Sequence, residues 1–278
     1  MNLGRRKAVN AVMLALAGLG TAVVLMPLAM ILATVLREGV GGINLAFLTQ
    51  LPAPPGSSGG GMGNAIVGTI ELLALASAIG VPLGLAGGLY LAEMGGEGLA
   101  AGIRLAADVL NGVPTIVTGL FVYAVVVAPM RRFSLIAGGL ALAAILTPVA
   151  LRASEEVLRA VPKNYREAAI ALGATRWRML RDVILRAAKS GLIGAALLGV
   201  ARVAGETAPL LLTSLNSTQW NLRPDQPTAS LTVQVFDYAI APYNDWHRQA
   251  WAGALILLVL VLALNLGARA WGREREAA

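Results

Sequence analysis

The chain has 278 residues, of which 57% are hydrophobic and only 13% charged, and its net charge is +7. A water-soluble domain carries about 25% charged residues, so half that share leaves too little polar surface for water and points to lipid as the solvent. The basic excess sits between apolar runs without interleaved stacking aromatics, which argues against nucleic acid, and the absence of cysteine excludes a disulfide framework and a thiolate metal site.

From Ala8 to Leu36 only Asn10, Thr21, Pro27 and Thr34 interrupt an apolar run, long enough to cross a bilayer that needs about 20 such residues. Arg5, Arg6 and Lys7 before it resemble the start of a signal peptide. The run is too long for one and lacks a small-residue cleavage site, so it reads as a retained first span. Pro52 to Gly63 is rich in Pro, Gly and Ser and reads as a loop. Five more spans follow, giving six in all: 9–36, 64–92, 103–130, 134–151, 190–213 and 250–271. Gly80, Gly84 and Gly88 recur every four residues on the second, followed by Ala92, a face that lets another helix approach closely.

Lysine and arginine orient these spans. With both termini in the cytoplasm, sixteen lie inside, five (Arg37, Arg131, Arg132, Arg223 and Arg248) outside, and Arg202 within a span. This is the positive-inside pattern. Arg131 and Arg132, on a tight outer hairpin, depart from it locally, and spans with stronger flanks are expected to override them.

Nine of the basic residues fall between Arg152 and Lys189. Within that loop Val161 to Gly173 reads as a short helix, with Pro162 at its first position and Gly173 as a left-handed stop. Tyr165, Ala168, Ala169 and Leu172 form one apolar stripe. Thr175 caps a second helix running through Trp177, Leu180 and Ile184 into the fifth span. Such a helix either lies on the lipid surface or fits a partner's groove, and the residue pattern alone supports both.

Glu167-Ala168-Ala169, then Gly173, with Leu185 twelve residues on, resembles the coupling loop of binding-protein-dependent ABC importer permeases. Val183 stands where isoleucine is usual and Arg186 where proline is usual. Asp108 to Gly119 is similar to the third-span signature of phosphate-specific permeases, and Arg202-Val-Ala-Gly-Glu-Thr-Ala-Pro209 to their fifth-span signature. Gln226 to Tyr238 resembles the A-type rather than the C-type permease of such systems. The resemblance spans about residues 63–266. It implies an all-α integral membrane fold: a six-span, type I (MetI-like) permease bundle with a cytoplasmic coupling helix. It also implies a division into a first helix and periplasmic loop (1–63), a permease core (64–271) and a cytoplasmic tail (272–278). Tyr165, Arg166, Glu167, Ala168, Ala169, Gly173, Ala174 and Thr175 would couple to the ATPase.

Four ionisable residues fall within spans: Glu71, Asp108, Arg202 and Glu206. Each would cost at least about 2.5 kcal/mol facing lipid at a helix centre. Asp108 is placed to pair with inner-loop arginines, and Glu71 is either structural or part of a path. Arg202 and Glu206, four apart on one helix face, are expected to pair. The pair either braces the bundle or, with Thr207, lines an anion path, since guanidinium geometry suits phosphate oxygens. His247 reads as an ordinary interfacial residue, with Trp246 and Trp251 in an aromatic belt.

None of the three lysines follows a glycine, so the chain has no P-loop and no enzyme activity of its own is expected. The implied machine is a phosphate importer of the bacterial inner membrane. Its other parts are a C-type permease, two ATP-binding subunits that hold ATP and Mg, and a periplasmic phosphate-binding protein. The alternatives are a permease for another oxyanion (molybdate, sulfate or phosphonate), an ion-coupled secondary transporter, and a scaffold that transports nothing.

Overall fold

A computed structural model describes residues 3–273. They form thirteen α-helical segments and two π-helical turns, with no strand among the described residues beyond one isolated bridge between Pro52 and Gly60. Five helices are long and apolar enough to cross a membrane, or six if one sharply bent pair counts as a single span. Of the tail expected at 272–278, residues 274–278 lie outside the described residues.

The centre of the bundle is α3 (Gly63–Glu93) against α7 (Leu135–Ala160). The four-residue glycine repeat makes this packing possible. A β-carbon at Gly84 would lie 2.4 Å from the Ala150 β-carbon, and one at Gly88 would lie 2.6 Å from that of Ser154. Any side chain there would push the helices apart and give up the dispersion contacts that hold helices together in lipid. Leu72, Ala76, Leu142 and Leu146 fill the seam, joined by Val203 and Leu210. Further along, α7 continues past Leu151, where the fourth span was expected to stop, to Ala160.

α1 (Leu3–Val40) stands apart. Among its described residues it is buried only at Val35 and Gly39, and Gly39 lies close against the backbone of Trp251 and the side chain of Leu255 on α13 (Asn244–Arg273). The expected loop at 52–63 has no helix before Gly63. It is nevertheless anchored: Phe47, on the short α2 (Leu45–Thr49), and Met62 are buried with Leu231 and Tyr238 of α12 (Leu231–Ile240). Trp246 stacks on Tyr238, centroids 4.3 Å apart and 8° from parallel. Trp246 is thereby half-buried, while Trp251 is exposed.

Two expected spans are not continuous helices. The third divides into α4 (Glu97–Gly112) and α5 (Thr115–Val122), the latter prolonged by a π turn at Tyr123–Val127 and α6 (Ala128–Met130). The two halves meet at 101°. Pro114 lacks the amide donor and holds Val113 in extended backbone, so the helix cannot pass through it. The fifth span starts earlier than expected: α9 (Arg176–Arg178), a π turn at Met179–Ile184 and α10 (Leu185–Val203) run as one helix past Arg186. It also ends earlier, unwinding after Ala204 before the single turn of α11 (Ala208–Leu211), which carries Pro209 in its first turn.

Candidate functional site: a braced knob and two broken spans

At one end of the bundle the chain leaves α7 at Val161 and makes α8 (Lys163–Ala171). Pro162 caps it from one position earlier than expected, with φ of −57°. Gly173 adopts φ of +79°, and the amide of Ala174 donates to the Ala169 carbonyl at 3.0 Å, closing the helix in the manner glycine permits. The Thr175 hydroxyl then accepts from the amide of Arg178 and starts the next helix. The expected apolar stripe divides in two. Ala169 is buried against Leu158, Met179 and Ile184, whereas Tyr165, Ala168 and above all Leu172, 89% exposed, point away from the bundle. Ile170 and Trp177 are also exposed on this knob. Glu167, Gly173 and Thr175 are exposed and Ala174 partly so.

Arg166 has a different position. Its guanidinium forms an ion pair with Glu93, the last residue of α3, and donates to the carbonyls of Leu158 (2.9 Å) and Val161 (2.7 Å) at the end of α7. The knob is thus tied to both central helices by one side chain. Sequence reasoning placed Arg166 on the knob and missed Glu93, 73 positions away. Between Glu93, Met94, Arg166, Ile170, Trp177 and Leu180 lies a cavity of about 580 Å³.

A second charged cluster lies nearby. Glu155 on α7, 2% exposed, receives Arg104 (2.7 Å), Arg152 (2.6 Å) and Arg159 (3.0 Å). Asp108 pairs with Arg152 at 2.9 Å, and Arg104 also donates to the Leu91 carbonyl at 3.1 Å. Buried charge is tolerated where several hydrogen bonds compensate its lost hydration, as here. Glu155 and Arg104 went unnoticed in the sequence because neither motif nor spacing links α4 to α7. At the opposite end, Arg132 pairs with Asp225 at 3.0 Å. That local carboxylate balances the charge of Arg132 on the hairpin. Partial burial pushes the Asp225 carboxyl up, yet Arg223 and Arg132 beside it hold it below the usual carboxylate range.

The half-span that follows the first break packs against the second break. A β-carbon at Gly119 on α5 would lie 2.6 Å from the Cα of Pro209 on α11. The Thr232 hydroxyl, from α12, donates to the backbone carbonyl of Glu206 at 2.9 Å and steadies the break. Arg202 and Glu206 do not pair, contrary to expectation. The helix unwinds from Ala204, so the four-residue offset no longer brings the two side chains together. Arg202 is exposed on α10 and Glu206 half-buried, each without an ion pair among the described residues. Thr207 and Gly205 line an apolar cavity of about 590 Å³ with Thr232, Leu258 and Asn265. Glu71 is half-buried on α3, also without an ion pair among the described residues.

Spans interrupted in mid-bundle, with a helical knob projecting from one end, define a membrane transporter subunit rather than a plain anchor. Solved structures that resemble it agree on the fold. A MetNI methionine ABC transporter in an inward-facing conformation aligns at TM-score 0.63, covering 77% of this chain and 96% of that one at 21% identity. An amino acid ABC transporter with histidines aligns at 0.58 over 77% and 92%. In sequence, residues 80–274 match the model of the binding-protein-dependent transport system inner membrane component. The phosphate transport system permease protein PstA of Yersinia pestis is 45% identical over 86% of this chain and 81% of its own length. PstA of Haemophilus influenzae is 39% identical over 98% and 96%, and the probable PstA of Methanocaldococcus jannaschii 36% over 91% and 90%. The chain belongs to the binding-protein-dependent transport system inner membrane component family, among the PstA permeases.

Proposed function

We propose that this chain forms half of the membrane path of an ATP-driven phosphate importer and receives its energy through α8. The observation that carries this is the knob itself. Its outward face offers Tyr165, Leu172 and Trp177 with nothing among the described residues to cover them, while Arg166 ties its inward side to α3 and α7. A helix that only rested on lipid would need no such tie. The outward residues, with Glu167, Ala168, Gly173 and Thr175, meet the ATPase, which holds ATP and Mg. The α8 end therefore faces the cytoplasm, as both termini do in the positive-inside arrangement. A second permease of the C-type, two ATPase subunits and a periplasmic phosphate-binding protein complete the complex in the bacterial inner membrane.

Phosphate as cargo follows from the PstA relatives, and the local chemistry suits it. Arg202 is a permanent cation exposed beside a helix break, in a place where facing lipid would cost at least about 2.5 kcal/mol. It faces the route between the two permeases, where a guanidinium compensates an anion's lost hydration. Glu206 and Thr207, at the break, border the same route.

The test is purification of the complex with its companion chains, followed by labelled phosphate uptake into vesicles. Uptake is expected to require ATP and to resist excess sulfate, molybdate and phosphonate. Uptake by the lone chain without nucleotide would overturn the reading in favour of an ion-coupled transporter, and inhibition by another oxyanion would change the cargo.

A further inference from the structure

An importer driven through α8 needs a route from that helix to the broken spans, and two side-chain clusters supply one. We infer that Glu93–Arg166 and Arg104–Glu155 form an ion-pair relay that carries displacement of α8 to α4, the first half of the broken third span. The inference rests on the importer reading above. Its first joint is Arg166, bound at once to the last residue of α3 and to two carbonyls that end α7. Since α3 and α7 touch through Gly84 and Gly88 with almost no side chain between them, α8, α3 and α7 move as one body.

The second joint binds α4 to that body. Arg104 reaches Glu155 on α7 at 2.7 Å and the Leu91 carbonyl on α3 at 3.1 Å, and Asp108 reaches Arg152 at 2.9 Å. The apolar contact beneath them sets Ala100, Ile103 and Ala107 against Tyr90, Leu91 and Leu151. Apolar contact is non-directional, whereas directional charge-assisted bonds fix the register of α4. Beyond Pro114 the chain turns through 101° into α5, which abuts Pro209 at the second break. A shift of α4 therefore swings α5 against the break beside Arg202. The joints are positioning residues: none of them needs to touch phosphate or ATP.

The test uses the whole complex in vesicles, with uptake and ATP hydrolysis measured on the same sample. In Glu93→Gln, phosphate moved per ATP is expected to fall about tenfold, within the range spanned by coupling between linked sites, while ATP hydrolysis and complex yield persist. Glu93→Asp, which keeps the charge, restores the ratio. An unchanged ratio in Glu93→Gln, or uptake and hydrolysis falling together, overturns the relay, because a merely structural role lowers both in proportion. Failure of the native complex to take up phosphate with ATP would instead overturn the importer reading, and the relay with it.

Discussion

Single charged side chains do unlike work in this chain according to what surrounds them. Arg202 is exposed next to an unwound turn and pairs with nothing among the described residues, whereas Glu155 is sealed beneath three guanidinium groups. Arg202→Ala is therefore expected to insert, assemble and hydrolyse ATP normally yet lose most phosphate uptake; native uptake would refute a place on the route. Glu155→Gln should instead weaken the fold, besides loosening the joint between α4 and α7. Removing one charge leaves Arg104 and Arg159 without their carboxylate and Arg152 with Asp108 alone, and breaking a buried pair costs about 3 kcal/mol or more. Its signature is a lower unfolding temperature in detergent. The i, i+4 offset of Arg202 and Glu206 was plain in the sequence, but whether an offset becomes a contact depends on the helix persisting between them. Here it does not, for Ala204 to Thr207 unwind.

At the scale of elements, two glycines that look alike in the sequence carry different constraints. Gly84 is needed for space: its β-carbon would clash with Ala150 at 2.4 Å. Gly173 is needed for its backbone: φ is +79° and nothing lies within 4 Å of a β-carbon there. Gly84→Val is thus expected to destabilise the α3–α7 seam by about 1–3 kcal/mol or more through overpacking. Gly173→Val carries a left-handed strain of about 1–2 kcal/mol confined to the knob. Gly173→Asn, whose side chain tolerates that conformation, should lie closer to native than Gly173→Val, while Gly84→Asn and Gly84→Val should both be poor. Thermal unfolding of the four variants separates space from backbone. The repeat was readable because its four-residue period is local, and so was the helix–glycine–helix of the knob. Its two faces were not, since Ala169 and Leu172 share a stripe on paper and separate only once α7 and α10 cover one of them.

For the molecule as a whole, the first helix is the loosest part. Among its described residues only Val35 and Gly39 are buried, and the central core closes without it. A chain lacking residues 3–34 is expected to keep its α3–α7 core and to unfold within a few degrees of the full chain. A collapse of stability would show that α1 contributes more than its burial indicates. The sequence by itself determined the solvent, the approximate number of spans, the glycine seam and the helical knob, because each rests on composition or on a period of a few residues. Only the tertiary structure decided that Glu93 braces Arg166, that Arg104 joins Glu155, and that two broken spans meet at Gly119 and Pro209. Those partners lie dozens of positions apart, and no local pattern specifies which residues a folded bundle will bring within hydrogen-bonding distance.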